Sequence, residues 1–160
     1  HNMEMPIPHD NSNIVSSWDV LNGQEVTGDC VVIGGGLVGA ETAEYLANKG
    51  HQVTIVEMMD KIAAGESTTV LPLMMKDFAD HNVKQLVNTK VDHIENNIVY
   101  TANEQIKADT IINALGSKKN IFDDSSITIP HVCVGDCSGE RTADIASAIR
   151  TAYHAANEIG

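Results

Sequence analysis

Past residue 29 the chain alternates between two hydrophobic patterns. Cys30-Val31-Val32-Ile33 is a continuous apolar, β-branched run ending in three glycines, which suits a strand buried on both faces of a parallel sheet. Leu37, Val38, Ala40, Ala43, Leu46 and Ala47 then recur at steps of three and four, and Lys49-Gly50 closes the stretch with a cation and a glycine, so a helix is expected. Gln52 to Glu57 reads as a second buried strand, and residues 30–57 together have the size of one strand–helix–strand unit with a right-handed crossover. A second helix is expected between Ser67 and His81, begun by Ser67-Thr68-Thr69 and carrying Pro72 near its start, where a missing N–H costs little.

From Val83 the period shortens towards two. Antiparallel strands are expected at Val83–Val87, Lys90–Ile94, Ile98–Thr101 and Gln105–Lys107, separated by Asn88-Thr89, Asn96-Asn97 and Asn103-Glu104 turn signals. Asp109 to Leu115 reads as another buried strand ending at Gly116. A polar loop over 117–126, a strand at His131–Val134 and an Ala-rich helix from about Thr142 to Ile159 complete the pattern. Ile145, Ile149, Ala152, Ala156 and Ile159 mark that helix's apolar stripe. Residues 1–28, with Pro6, Pro8, Gly23, Gly28 and polar runs, read as an irregular lead-in around one short helix near Ser17–Leu21, and His1-Asn2 ahead of Met3 as residues left by cloning. The expected architecture is α/β and Rossmann-like, a central parallel sheet with helices and an added antiparallel β-meander. Its core occupies 29–120, and 121–160 form a returning strand and C-terminal helix.

The chemistry concentrates at Gly34-Gly35-Gly36-Leu37-Val38-Gly39, which fits G-x-G-x-x-G. Alone that pattern is weak. Here it follows a buried strand, opens a helix, and is answered by Glu57, 23 positions after Gly34, at the end of the next strand. Gly34 permits the tight turn, Gly36 lets backbone approach a pyrophosphate, and Gly39 lets the helix lie close on the strand. Glu57 is placed to accept hydrogen bonds from the adenosine ribose, and its charge repels a 2′-phosphate. Met58, Met59 and Asp60 follow it with no arginine, which favours NAD(H) over NADP(H).

Charge and cysteine content narrow the setting. With 10 Lys and Arg against 22 Asp and Glu, a formal −12, the chain repels nucleic acid and anionic membranes, so a bound nucleotide must be gripped by backbone amides and a helix end. Cys30, Cys133 and Cys137 form no C-x-x-C pair, which reads as reduced thiols in a cytoplasmic protein. No apolar stretch approaches the roughly 20 residues of a membrane helix. The seven histidines show no ligand spacing, so no metal site is expected.

Two other classes share the opening. A doubly wound methyltransferase is disfavoured by the third glycine and by the strands after Val83. A short-chain dehydrogenase is disfavoured because its Tyr-x-x-x-Lys string, here Tyr45 to Lys49, falls in the helix of the nucleotide loop itself, so Tyr45 is expected to pack. Met58-Met59 and Met74-Met75 are likewise expected to pack against the sheet and second helix.

Glu41, two places after Gly39, extends the loop to G-x-G-x-x-G-x-E, which resembles the NAD motif of the two-dinucleotide flavoproteins of the pyridine nucleotide-disulfide oxidoreductase type. Asn113-Ala114-Leu115-Gly116-Ser117 resembles their second signature, and Val132 to Cys137, with Gly135-Asp136, is similar to the motif whose Asp holds FAD. Residues 13–23, the glycine loop, Gly135-Asp136-Cys137, Arg141 and Ala148-Ile149 together resemble the C-terminal half of NADH:flavin oxidoreductases such as 2-enoate reductase, 2,4-dienoyl-CoA reductase and trimethylamine dehydrogenase.

The resemblance implies hydride transfer from NADH to FAD in the intact enzyme, with Glu41 beside the nicotinamide carboxamide. It implies cofactor contacts from residues 34–39, Glu41, Glu57, Met58, Val91, Ala114, Leu115, Gly116, Gly135 and Asp136, and no catalytic residue of the chain's own. It further implies partners in the remaining FAD domain and an FMN barrel, with FAD held only in that context. No upstream glycine motif for FAD and no cluster-binding cysteine run is present, so the chain reads as a domain excised from, or a relic of, a larger flavoprotein, with a separately encoded subunit as the alternative. The last helix then either covers this domain or mediates self-association into a homo-oligomer. The reading from a different class is a stand-alone dinucleotide-binding or sensing module without turnover.

Overall fold

A computed structural model describes residues 4–64, 69–116, 123–135 and 145–158. In chain order the elements are β1 (Ile14–Ser16), α1 (Ser17–Leu21), β2 (Cys30–Ile33), α2 (Leu37–Asn48), β3 (Val53–Val56), α3 (Leu71–Asp80), β4 (Lys84–Leu86), β5 (Val91–Glu95), β6 (Ile98–Thr101), β7 (Gln105–Lys107), β8 (Thr110–Asn113) and α4 (Ile145–Glu158). The chain divides into two compact units, meeting in sequence between residues 116 and 117.

The first unit is built on a five-stranded sheet of order β1-β8-β2-β3-β4, in which every pair is parallel. The alternation of side chains along β2 shows why its residues are uniformly apolar. Cys30 and Val32 enter one buried cluster with Ala40, Ala43 and Leu46 of α2 and Phe78 of α3. Val31 and Ile33 enter a second, with Val91, Ile94, Val99 and Ile106 of the antiparallel sheet β5-β6-β7. Helices therefore cover one face and the three-stranded meander covers the other, and a strand between two apolar layers has no polar position. The expected Rossmann-like α/β architecture with an added meander is what forms. The Asn96-Asn97 turn is the β5–β6 hairpin, with both residues at positive φ (52° and 59°), the backbone that a two-residue turn of primed type needs.

Three expectations are corrected. The lead-in is not irregular throughout: Ile14–Ser16 pair in parallel with β8 and form the sheet's edge, a strand too short to announce itself by period. The stretch after Val83 does not begin the meander, because Lys84–Leu86 pair in parallel with Thr54–Val56 and belong to the central sheet. In the second unit, His131–Val134 are not in a strand. On α4 the stripe through Ile145, Ile149, Ala152 and Ala156 is exposed, and Ser147 and Ala155 are buried. Ile159 lies outside the described residues, as do Ser67 and Thr68 at the expected start of the second helix.

The segment before β1 is pinned to the meander. Ile94 N–H donates to Pro8 O at 2.9 Å, and His9 bridges to Ile94 as one extra parallel rung. Asp10 then accepts from Ser12 and, at 2.8 Å, from Asn96 N–H, while Asn97 N–H donates to Ser12 Oγ at 3.0 Å and Asn13 N–H to Asn97 Oδ1 at 2.7 Å. The Ser12 hydroxyl, then the Asn96 amide, hold the Asp10 carboxyl below its ordinary value. A depressed carboxylate contributes stability above the ordinary carboxylate pKa and loses it as pH falls through the lower, folded value. The Asn96 amide resonance should therefore titrate with a midpoint below 3.8 and stop titrating in Asp10→Ala; a midpoint at or above 3.8 would refute the pinning role.

Candidate functional site

β2 sits in the middle of the sheet with β3 on one side and β8, the last strand in sequence, on the other. The chain order therefore reverses between β2 and β8, and in open α/β sheets a crevice forms outside the carboxyl ends of the strands at such a point. A cavity of about 530 Å³ lies there, within the range of small-molecule and cofactor sites.

The glycine loop shapes one wall. Gly34 has φ +101° and its N–H donates to Val56 O at 2.9 Å; a Cβ there would lie 2.6 Å from Ala114 O. At Gly39 a Cβ would lie 1.9 Å from Gly34 O, so only glycine lets the first turn of α2 rest on the end of β2. Gly36 is different, because nothing stands within 4 Å of where its Cβ would be and the residue lines the cavity. It is the N-cap of α2 and has no side chain to cap the helix, whose first-turn amides are thus left to an outside acceptor. Open space beside an uncapped helix N-terminus fits a pyrophosphate, an arrangement worth up to about 2 kcal/mol.

The loop is held from below. Glu57 Oε2 accepts from Gly35 N–H at 2.6 Å and Oε1 from Met59 N–H at 2.7 Å, fixing the carboxylate at the cavity edge. Ala63 N–H donates to Gly35 O at 2.7 Å, and the Ile62 side chain lies against Gly35, so the turn after β3 clamps the loop. Glu57 O in turn accepts from Thr89 N–H at 2.9 Å, which brings the β4–β5 connection to the same edge.

Of the residues expected from the sequence, the cavity brings together Gly34, Gly36, Glu57, Met58, Val91, Ala114, Leu115 and Gly116. Gly35 and Gly39 are buried beneath it, whereas Leu37 and Glu41 are exposed and Val38 half-buried on α2, outside the lining. Gly135 belongs to the second unit, where its N–H donates to Thr151 Oγ1 at 2.8 Å, and Asp136 lies outside the described residues. Pro6, Ile7, Thr89 and Lys90 also line the cavity and carry no motif by which sequence could find them. Met58 and Met59 do not pack inside as expected; both are largely exposed, because the turn after β3 carries them past the sheet edge, while Met74 is buried and Met75 packs against the helical cluster.

Tyr45 packs partly into that cluster with Lys49 Nζ 4.6 Å from its ring centroid. At 1.5 Å per residue it stands about 12 Å along α2 from the glycine end, which removes the Tyr-x-x-x-Lys pair from the cavity. Cys30 is equally uninvolved. Burial, with the nearby charges of Asp29 and Asp109, pushes its thiol up to about 11, so it is protonated and unreactive at neutral pH. On α2 the Glu44 carboxyl is held above its ordinary value by burial, then by a hydrogen bond with Asp77 and the charges of Asp77 and Glu41, a negative patch outside the cavity lining. No described helix is long and apolar enough to cross a membrane.

The family model for pyridine nucleotide-disulphide oxidoreductases matches residues 2–132. A bilirubin reductase of Mediterraneibacter gnavus is 43% identical over 172 residues, covering 99% of this chain and 26% of that protein. A cinnamate reductase of Clostridium sporogenes is 31% identical over 159 residues, covering 91% of this chain and 23% of its own length. Among solved structures, a 2-naphthoyl-CoA reductase superposes with a TM-score of 0.80 at 25% identity, over 96% of this chain and 24% of that one. The chain thus spans about a quarter of the length of the proteins it matches.

If the Gly34–Gly39 contact is what seats α2, Gly39→Ala should destabilise the protein by about 3 kcal/mol or more, since the added methyl meets backbone rather than a side chain that can yield. Urea unfolding checks this, with Gly36→Ala, where the space is open, expected to fold normally. Equal stabilities of the two variants would exclude the packing role given to Gly39.

Proposed function

The chain belongs to the pyridine nucleotide-disulphide oxidoreductase family, and on that footing we propose that its first unit is the NAD(H)-binding domain of a flavin-dependent reductase. The observation that carries the proposal is the pairing, at one cavity, of the uncapped start of α2 at Gly36 with the Glu57 carboxylate held by two backbone amides. The first takes a diphosphate without any cation. The second presents a fixed acceptor to a vicinal ribose diol and a like charge to a 2′-phosphate. When bound, NADH supplies the hydride that reduces FAD, and the chain's own residues contribute position and electrostatics.

Within this reading Glu41, at the start of α2, is assigned to the nicotinamide carboxamide, and Gly135-Asp136 to the FAD-binding part, which is completed only by the rest of the parent enzyme. That parent is proposed to include the remaining FAD domain and an FMN barrel. Cinnamate reductase and 2-naphthoyl-CoA reductase are names for the reduction of conjugated acids or their thioesters, and they support an enoate- or dienoyl-CoA-reductase-like substrate class for the intact protein.

Calorimetric titration tests the coenzyme assignment. NADH should bind well ahead of NADPH. Glu57→Ala should weaken NADH by roughly 1.5–3 kcal/mol, the worth of hydrogen bonds to a charged group, and should narrow the gap to NADPH. Glu57→Gln, which keeps an acceptor and loses the charge, should fall between. Equal binding of the two coenzymes by the unaltered protein would remove the role given to Glu57.

A further inference from the structure

The cavity's polar side is accounted for by the glycine loop and Glu57; its apolar side is not. Ile33, Val56, Val91 and Leu115 belong there by their place at strand ends, yet Pro6 and Ile7, 27 or more residues before the loop, line it as well. Ile7 packs against the same buried cluster as Val91 and Ile94, and the residues that follow it are locked to β5 by the Pro8–Ile94 bond and the His9–Ile94 rung. The segment is therefore a built wall, fixed by backbone pairing and by the Asp10–Asn96 contact beyond it.

Its position along the cavity follows from the connection between β4 and β5. Thr89 N–H is bonded to Glu57 O, and Val91 lies two residues on, so the apolar patch of Ile7 and Val91 adjoins the ribose-reading carboxylate. A dinucleotide whose diphosphate rests at Gly36 and whose ribose meets Glu57 has one flat apolar group left beyond that ribose, its purine.

We propose that the Pro6–Asp10 segment is the purine-side wall of the nucleotide site, with Ile7 and Val91 forming the apolar seat of the adenine ring. The proposal rests on the dinucleotide reading given above and adds a binding element that lies outside the glycine motif. Burial of the purine against two aliphatic side chains replaces the ring's contacts with water by apolar contacts, which favours binding. The segment reaches the site through its pairing to β5, so the meander, and not the helical layer, sets how far the wall stands from Glu57.

The test measures ADP and NADH binding by calorimetry for the unaltered chain and for Ile7→Ala, Ile7→Val and Ile7→Leu, with urea unfolding of each. Ile7→Ala should weaken both ligands by the same factor, about tenfold, because both carry the adenosine half. Ile7→Val should weaken both about threefold, and it serves alone if the alanine variant does not fold. Ile7→Leu, which restores the bulk, should return affinity to within about twofold. Unchanged ADP affinity in folded Ile7→Ala and Ile7→Val overturns the inference, and so does a loss seen with NADH but not ADP. An unaltered chain that binds NADH but not ADP overturns it while leaving the dinucleotide reading intact; one that binds neither overturns both.

Discussion

The close approach of Gly39 to the carbonyl of Gly34 is the contact on which the rest of the site depends. A three-residue loop joins β2 to α2, so the helix can start only where its first turn lies directly on the strand end, and any side chain at residue 39 would occupy the space of that carbonyl. From this one constraint follow the uncapped helix N-terminus beside the cavity, the tight φ at Gly34 and the proximity of Ala114 at the end of β8. The parallel sheet places the ends of β2, β3 and β8 at one edge, and the contact turns that edge into a site.

The strongly acidic composition makes sense against this geometry. A chain with net charge −12 cannot attract a dinucleotide at long range, and among the described residues Lys90 is the cavity's one cationic lining residue. On the proposed reading, neutral amides fixed in direction, together with a carboxylate held by Gly35 and Met59, take the place of cations at the site. Because Glu57 is held by the loop it helps to shape, the acceptor and the helix end move as one body, which limits the reorganisation that binding has to offset.

Two apolar layers share a single sheet, and they do different work. The helical layer seats α2, while the meander anchors the segment running from Pro8 to Asn13 and through it the edge strand β1. The side of the cavity opposite the glycine loop is consequently supplied by parts of the chain far apart in sequence.

Much of this was legible in the residues. The run Cys30–Ile33, the glycines at 34, 36 and 39, the step-wise Leu37–Ala47 pattern and Glu57 each obey local rules of period, turn and spacing, and each stands where those rules put it. Ala114, Leu115 and Gly116 were reachable only through the resemblance of Asn113–Ser117 to a family signature. Not legible were β1 and the parallel pairing of β4 with β3, because membership of these three-residue strands in the central sheet rests on partners many positions away. So sequence by itself determined the fold class and the places of the glycine loop and Glu57, since these depend on backbone conformations and strand ends that only particular residues permit. Tertiary structure alone decided that Pro6 and Ile7 reach the same cavity, because the residues that follow them are held to β5 by the His9–Ile94 bridge, and pairing between distant segments leaves no local mark.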